Sequence, residues 1–275
     1  MQFFNKYSSI GVFDSGIGGL TVVKKILSML PNENIIYFGD TARVPYGSKS
    51  NATIIEYANQ DAKFLYNKNV KMIIVACNTA SSVALDTLRE QFDIPIIGMI
   101  EPGSKYALSK TLNNKIGVIG THSTINNEAY STKLKKFKNE IEVFEKACPL
   151  FVPLAEEGWI DHKATQLIAE EYLEELKNKE IDTLILGCTH YPMLARLIQK
   201  VMGPDVTLID SGTAAAFEVE DYLNGIGLRN DSNNIGEHQF YVSDLPAKFK
   251  IIAERFLGTE IRHIEKVDID YLVKG

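Results

Sequence analysis

The feature that most limits what this chain can fold into is that it repeats itself. The stretch "SIGVFDSG" (9–16) answers to "KIGVIGTH" (115–122), and "ENIIYFGD" (33–40) answers to "EIEVFEKA" (140–147). Further on, "KMIIVACNT" (71–79) answers to "DTLILGCTH" (182–190), and "IPIIGMIEPG" (94–103) answers to "DVTLIDSG" (205–212). The order is kept throughout, at an offset of roughly 105 to 112 residues. One or two such matches among apolar strands arise by chance. Four in order, one of them with a cysteine at the same point of both copies, indicate a duplicated α/β unit.

Within each copy, short β-branched runs end in turn residues and give way to helical periodicity, which predicts a largely parallel sheet. The expected fold is therefore two similar parallel-sheet α/β domains related by a pseudo-twofold axis, with the active site in the cleft between them. Pro-Gly in "EPGSK" near 102 and the turn residues of "DSGTA" near 210 are expected to break the chain where it crosses between domains. That places the first domain at residues 1–102 plus 212–275 and the second at 103–211. The tail holds a helix-like "TAAAFEVEDYLNG", a polar link, a strand-like "QFYVSD", a helix and "EIRHIEKV". It is too short to equal a domain and is expected to complete the N-terminal half.

Composition narrows the class of protein. At 275 residues, with 45% hydrophobic and 23% charged residues, the chain can bury a substantial core. No apolar run approaches the ~20 residues of a membrane span, and "MQFFNKYSS" lacks the marks of a signal peptide. Three scattered cysteines argue against a disulfide framework and for a reducing cytoplasm. A net charge of −6 with dispersed basic residues argues against nucleic acid as the main partner.

Ligands of open parallel sheets sit at the carboxyl ends of the strands. Asp14, Asp40, Cys77, Thr121 and Cys188 all fall at such ends. A cysteine there lies near a helix N-terminus, which stabilises a thiolate. A single free cysteine is more often a small buried hydrophobe. Two at equivalent points of a repeat, followed by Asn-Thr and Thr-His, favour chemistry instead. Cys148, before Pro149, has no such context and is expected to be structural.

Facing domains would set one thiol on each side of a small ligand. A redox pair calls for C-x-x-C, which is absent. A zinc site could recruit Cys77, Cys188 and His190, but the close Cys/His pairs of zinc motifs are missing. Inversion of a carbon centre fits better, because one group removes a proton from one face while a like group delivers a proton to the other. Helpers are expected from Asp14 in the first half and His190 in the second. A lone Asp at such a place is commonly a helix cap and a lone His a satisfied surface residue, so position beside the thiols carries the functional choice. Ser15, Asn78, Thr79, Thr121 and Thr189, with the backbone of "GDTARVPYGSKS" (39–50), could hold the charged ends of an amino acid. Helix N-termini there would favour a dicarboxylate. A rival remains in "DSGIGGLT", where Gly16 and Gly18 give G-x-G with Asp40 at the next strand end. The third glycine of a dinucleotide fingerprint is replaced by Thr21.

The stretches "GVFDSGIGGLTV", "YFGDTARVPYGSKS", "VACNTASS", "GVIGTHSTI", "CPLFVPLAEEG" and "LGCTHYPML", with "LIDSG" just beyond, closely resemble the glutamate racemases of the cofactor-independent aspartate/glutamate racemase superfamily. The resemblance covers most of the chain and weakens around 228–238 and in the last residues. It implies an isomerase that interconverts L- and D-glutamate without pyridoxal phosphate, other cofactor or metal, and supplies D-glutamate for peptidoglycan. It makes Cys77 the base towards D-glutamate and Cys188 the base towards L-glutamate, assisted by Asp14 and His190, and adds Glu156. Substrate-binding positions implied are Asp14, Ser15, Tyr46, Gly47, Asn78, Thr79, Thr189 and His190, with Thr121 added. A homodimer is also implied. A racemase or related lyase of the superfamily acting on aspartate or a hydantoin, and a non-catalytic two-lobed amino-acid-binding protein, are the alternatives.

Overall fold

In a computed structural model of the chain, residues 4–245 and 249–268 are described. The outer ends of the expected first domain, residues 1–3 and 269–275, lie outside the described residues. The first half runs β1 (Ile10–Asp14), α1 (Leu20–Met29), β2 (Ile35–Gly39), α2 (Asn51–Asn67), β3 (Met72–Val75), α3 (Asn78–Val83), α4 (Leu85–Gln91) and β4 (Ile96–Gly98). After α5 (Ile100–Lys110), the second half runs β5 (Lys115–Gly120), α6 (His122–Asn126), α7 (Ala129–Phe137), β6 (Glu142–Ala147), α8 (Phe151–Glu156), α9 (Lys163–Lys177), β7 (Thr183–Gly187), α10 (Ala195–Met202) and β8 (Thr207–Asp210). The tail supplies α11 (Ser211–Gly225), β9 (His238–Val242), α12 (Phe249–Leu257) and β10 (Glu265–Lys266).

The strands form two parallel sheets, ordered β10-β9-β2-β1-β3-β4 and β6-β5-β7-β8. The two sheets share one order, since β2-β1-β3-β4 and β6-β5-β7-β8 are the same path taken twice. Each of the four repeat matches in the sequence is one of these strand equivalences. The two-sheet α/β architecture expected from the repeat is thus the one observed. β9 pairs with β2 and β10 with β9, so the tail extends the first sheet rather than the second.

Alternation along the strands explains why both faces are buried. In β1, β2 and β3, Ile10, Val12, Ile35, Tyr37, Met72 and Ile74 point into one core, and Phe13, Ile36, Phe38, Ile73 and Val75 into another. A parallel sheet covered by crossover helices requires this two-sided pattern. In the second sheet Ile116, Val118 and Ile185 face a third core, whereas Ile119, Leu184 and Leu186 join the same core as Ile10 and Val12. One apolar core is therefore common to both sheets.

Two local expectations are corrected. Residues 100–110 are helical despite Pro102 and Gly103, and α11 starts directly after Asp210. Pro102 occupies the first turn of α5, where a backbone N–H would have no intrahelical partner. Asp210 caps α11 by accepting hydrogen bonds from Gly212 N at 2.9 Å and Thr213 Oγ1 at 3.0 Å. Such a cap stabilises a helix by about 1 kcal/mol. The signals of "EPGSK" and "DSGTA" are helix starts, which use the same residues as turns.

Away from the strand ends that carry the thiols, Lys71 and Glu33 form a fully buried ion pair at 2.5 Å. Lys71 Nζ also donates to the carbonyls of Lys6 and Leu228, and Glu33 accepts from Asn230 N at 2.8 Å. These bonds satisfy the buried charges and tie the polar link 226–237 to the first sheet.

Candidate active site

Cys77 and Cys188 follow the carboxyl ends of β3 and β7, the same strand in the two copies. Both line one cavity of about 360 Å³ between the sheets, at the small end of ligand pockets. Ser15, Tyr46, Gly47, Asn78, Thr79, Thr121, Glu156, Thr189 and His190 line it too. Asp14 does not. It is fully buried beneath the cavity, accepting from Gly16 N at 3.1 Å and from Thr189 Oγ1 at 3.4 Å. Val44, Pro45 and Ser48 of the loop 39–50 lie at the cavity's rim, in the stretch expected to hold the substrate, whereas its apolar wall of Pro149, Val152 and Pro153, and His122 at the rim, were not singled out by reasoning from the residues. The signal for the wall lay in "CPLFVPLAEEG", a stretch that entered only through the family resemblance.

The two thiols have different surroundings. Cys77 caps α3, its sulfur accepting from Ala80 N at 3.5 Å and facing Ser15 Oγ at 3.6 Å. Burial pushes its pKa up to about 12, and the Asp14 carboxylate adds to the shift. Cys77 therefore holds its proton at neutral pH. Cys188 Sγ lies 3.8 Å from His190 Nδ1, and His190 Nε2 lies 2.9 Å from Glu156 Oε1. Burial alone would lower the imidazole, but the hydrogen bonds and charges of Cys188 and Glu156 prevail and raise it to about 10. The Cys188 thiol thus faces an imidazolium backed by a carboxylate. Asp14 is raised by burial and lowered in turn by His190. It makes no hydrogen bond to Cys77; its influence on that thiol is through charge alone.

The site is assembled by bonds that cross between the copies. Thr79 Oγ1 meets Thr121 Oγ1 at 2.9 Å, and Thr21 Oγ1 donates to the Thr189 carbonyl at 2.9 Å. Tyr130 OH donates to Asn78 Oδ1 at 2.7 Å, which turns the amide N–H groups of Asn78 the other way. Gly18 and Gly47 permit this approach. A Cβ on Gly18 would collide with Thr189 Oγ1 and His190, and one on Gly47 would lie 2.9 Å from Thr121 Cβ. Gly18 of "DSGIGGLT" therefore has a packing cause, as does Gly19, where a Cβ would lie 2.5 Å from Asp14 Cβ, whereas at Gly16 it would meet nothing nearer than Val44 at 3.4 Å. Asp40, the strand-end acid of the dinucleotide alternative, is instead fully buried and bonded to Arg43, Tyr46 and Ser243. Cys148 is fully buried in the common core, in keeping with a structural thiol. Among the described residues no group of three or more His, Cys, Asp or Glu is placed to hold a metal ion, and no helix is long and apolar enough to cross a membrane.

Residues 10–219 match the model of the Asp/Glu/hydantoin racemase family. The glutamate racemase of Chlorobaculum tepidum is 53% identical over 261 residues, covering 94% of this chain and 96% of that protein. The crystal structure of Francisella tularensis glutamate racemase in complex with D-glutamate superposes with a TM-score of 0.91 at 46% identity, covering 97% of this chain and 99% of that one. A glutamate racemase isoform from Bacillus anthracis gives 0.92 at 40% identity, covering 96% and 98%.

Proposed function

The chain belongs to the Asp/Glu/hydantoin racemase family, and on that premise we propose that it is a glutamate racemase interconverting L- and D-glutamate by two-base proton transfer at the α-carbon. The observation that carries the mechanism is the pair of thiols, Cys77 and Cys188, placed at equivalent strand ends and lining one small cavity. The identity and coverage of the glutamate racemases support the choice of substrate.

Starting from L-glutamate, the sulfur of Cys188 takes the α-proton. The electron pair left behind delocalises into the substrate carboxylate, and the Cys77 thiol returns its proton to the opposite face of the same carbon. The reverse reaction exchanges the two roles, with Cys77 acting as base on D-glutamate. His190, held by Glu156, stabilises the Cys188 thiolate before the transfer. Asp14 acts on Cys77 through its charge, keeping that thiol protonated until it donates. Ser15, Tyr46, Gly47, Asn78, Thr79, Thr121 and Thr189 hold the substrate's charged groups. The cavity between two lobes shields the deprotonated α-carbon from water during the transfer, and the thiols exchange their protons with solvent between turnovers. Neither pyridoxal phosphate nor metal takes part in this scheme. Residues 1–102 plus 212–275 and residues 103–211 are the two domains in this reading, and the enzyme works as a cytoplasmic homodimer supplying D-glutamate for peptidoglycan.

The test is purified protein with L-glutamate in deuterated water and no added cofactor. D-glutamate carrying deuterium at the α-carbon is the expected product. Its absence from well-folded protein sinks the proposal, and turnover of aspartate or a hydantoin alone would move the chain to another substrate. Changing Cys77 or Cys188 to Ala should lower turnover by at least about a hundredfold. Unaltered turnover in either variant would remove that thiol from the mechanism.

A further inference from the structure

The cavity wall formed by Tyr46 and Gly47 makes no hydrogen bond to either thiol, yet it is held by a polar cluster whose phenol and two carboxyls are buried. The Tyr46 phenol lies between two carboxyls, 2.5 Å from Asp40 Oδ2 and 2.9 Å from Asp61 Oδ2. Asp40 and Asp61 are both completely inaccessible to solvent. A phenol has one hydrogen, and an ionised carboxylate can only accept. With both carboxyls ionised, one of these contacts would set oxygen against oxygen with no proton between them, away from water, a costly arrangement.

We propose that Asp61 is a neutral carboxylic acid whose proton bridges to Tyr46, making it a positioning residue for the substrate wall. Hydrogen counting assigns the proton to Asp61 rather than Asp40. Asp40 receives Arg43 Nε at 2.7 Å and Ser243 Oγ at 2.8 Å in addition to the phenol. Among the described residues Asp61 receives, besides the phenol, only Arg43 Nη2 at 3.0 Å, and it stands mid-helix in α2, where the backbone N–H groups are already used. Each contact between the phenol, the two carboxyls and their partners then carries one hydrogen, and Arg43 Nη1 donates besides to Gln60 Oε1. Asp61 Oδ2–H donates to the Tyr46 oxygen, Tyr46 O–H donates to Asp40, Arg43 donates to both carboxyls, and Ser243, itself accepting from Ala42 N at 2.9 Å, donates to Asp40. One carboxylate and one guanidinium balance in charge. Burial, with the neighbouring Asp40 charge, raises Asp61 well above the ordinary carboxyl range.

The role in positioning rests on the reading of this cavity as the glutamate site; the placement of the proton does not. Asparagine keeps an uncharged carbonyl acceptor for Arg43 and an N–H donor in place of the carboxyl O–H, whereas alanine removes the bridge. Asp61→Asn is expected to keep KM for glutamate within about twofold of the parent, while Asp61→Ala and Asp40→Asn raise it by about tenfold or more with a smaller fall in kcat. If Asp61→Ala does not fold, Asp40→Asn against Asp61→Asn makes the same comparison. Infrared difference spectra of substrate-free parent against Asp61→Asn should show the carbonyl band of a protonated carboxyl in the parent alone. Loss of affinity in Asp61→Asn as large as in Asp40→Asn overturns the positioning role, and absence of that band overturns the proton. A parent protein that shows the band but does not turn over glutamate refutes the functional reading and leaves the proton assignment standing.

Discussion

His190 sits between the Cys188 sulfur and the Glu156 carboxylate, and a proton on its ring is held from both sides. That has a consequence for stability. The imidazole is raised in the folded protein from 6.5 to about 10. A raised pKa means the folded state binds the proton more tightly than the unfolded chain, so its contribution is complete below pH 6.5 and is lost as pH climbs towards 10. Cys77, raised from 9.0 to about 12, adds a second loss in that higher window. Melting temperature should therefore fall with rising pH in both windows. His190→Asn should flatten the first decline, which is on the order of a few kcal/mol at about 1.4 kcal/mol per pKa unit. Cys77→Ser should flatten the second, and unchanged slopes in the variants would remove these groups as the cause. At this scale the sequence was legible where position within a strand-loop-helix unit decides exposure. Cys77, Cys188, Thr121 and Ser15 were found that way. Asp61 and Tyr130 were not, because each lies inside a helix, and their partners Tyr46 and Asn78 come near only through the tertiary fold. Glu156, the first residue of an ordinary-looking "EEG", was identified through family resemblance alone.

The turn between β1 and α1 shows how an element's start can serve the opposite half of the molecule. Gly18 lies where any side chain would strike Thr189 and His190, so Gly18→Ala must push the first lobe away from the residues beside Cys188. A fall in kcat of about tenfold or more is expected for a displacement of a few tenths of an ångström to an ångström. Gly225, the last residue of α11, is a matched control. Among the described residues nothing beyond its own helix lies within 4 Å of a Cβ there, and its replacement by Ala should be neutral or stabilise by about 0.5 kcal/mol. Steady-state kinetics and thermal melts of the two variants separate close approach from backbone entropy. A Gly18→Ala enzyme as active as the parent would show that the lobes tolerate separation here. The elements themselves were largely readable, and each of the four repeated strands lies within the stretch its match indicated. The misreadings at 102 and 210 came from residues that start helices and make turns by the same hydrogen bonding, and only the apolar pattern on the far side tells them apart.

Repetition in the sequence suggests two bodies that could unfold separately, but the packing argues otherwise. Ile10, Val12 and Ile74 of the first sheet and Ile119, Leu184 and Leu186 of the second belong to one apolar core, with Ala215, Ala216 and Val219 of α11 in it as well. Losing either lobe would expose that shared surface on the other, at about 25 cal/mol per Å² of apolar area. Bonds from Thr21 to Thr189 and from Tyr130 to Asn78 would be lost at the same step. The expected outcome is one cooperative transition in denaturant. Trp159, the single tryptophan, follows α8 in the second half, so its fluorescence reports on that lobe while far-ultraviolet circular dichroism reports on the whole chain. The two curves should coincide, and amide exchange in β1 and β5 should reach the same limiting free energy. Separate transitions, or weaker protection of one sheet, would mean that the common core does not bind the lobes together. Coincidence would mean that the two thiols are held across the cavity by the same packing that folds the chain, so that a core substitution such as Leu186→Ala acts on stability and on turnover together.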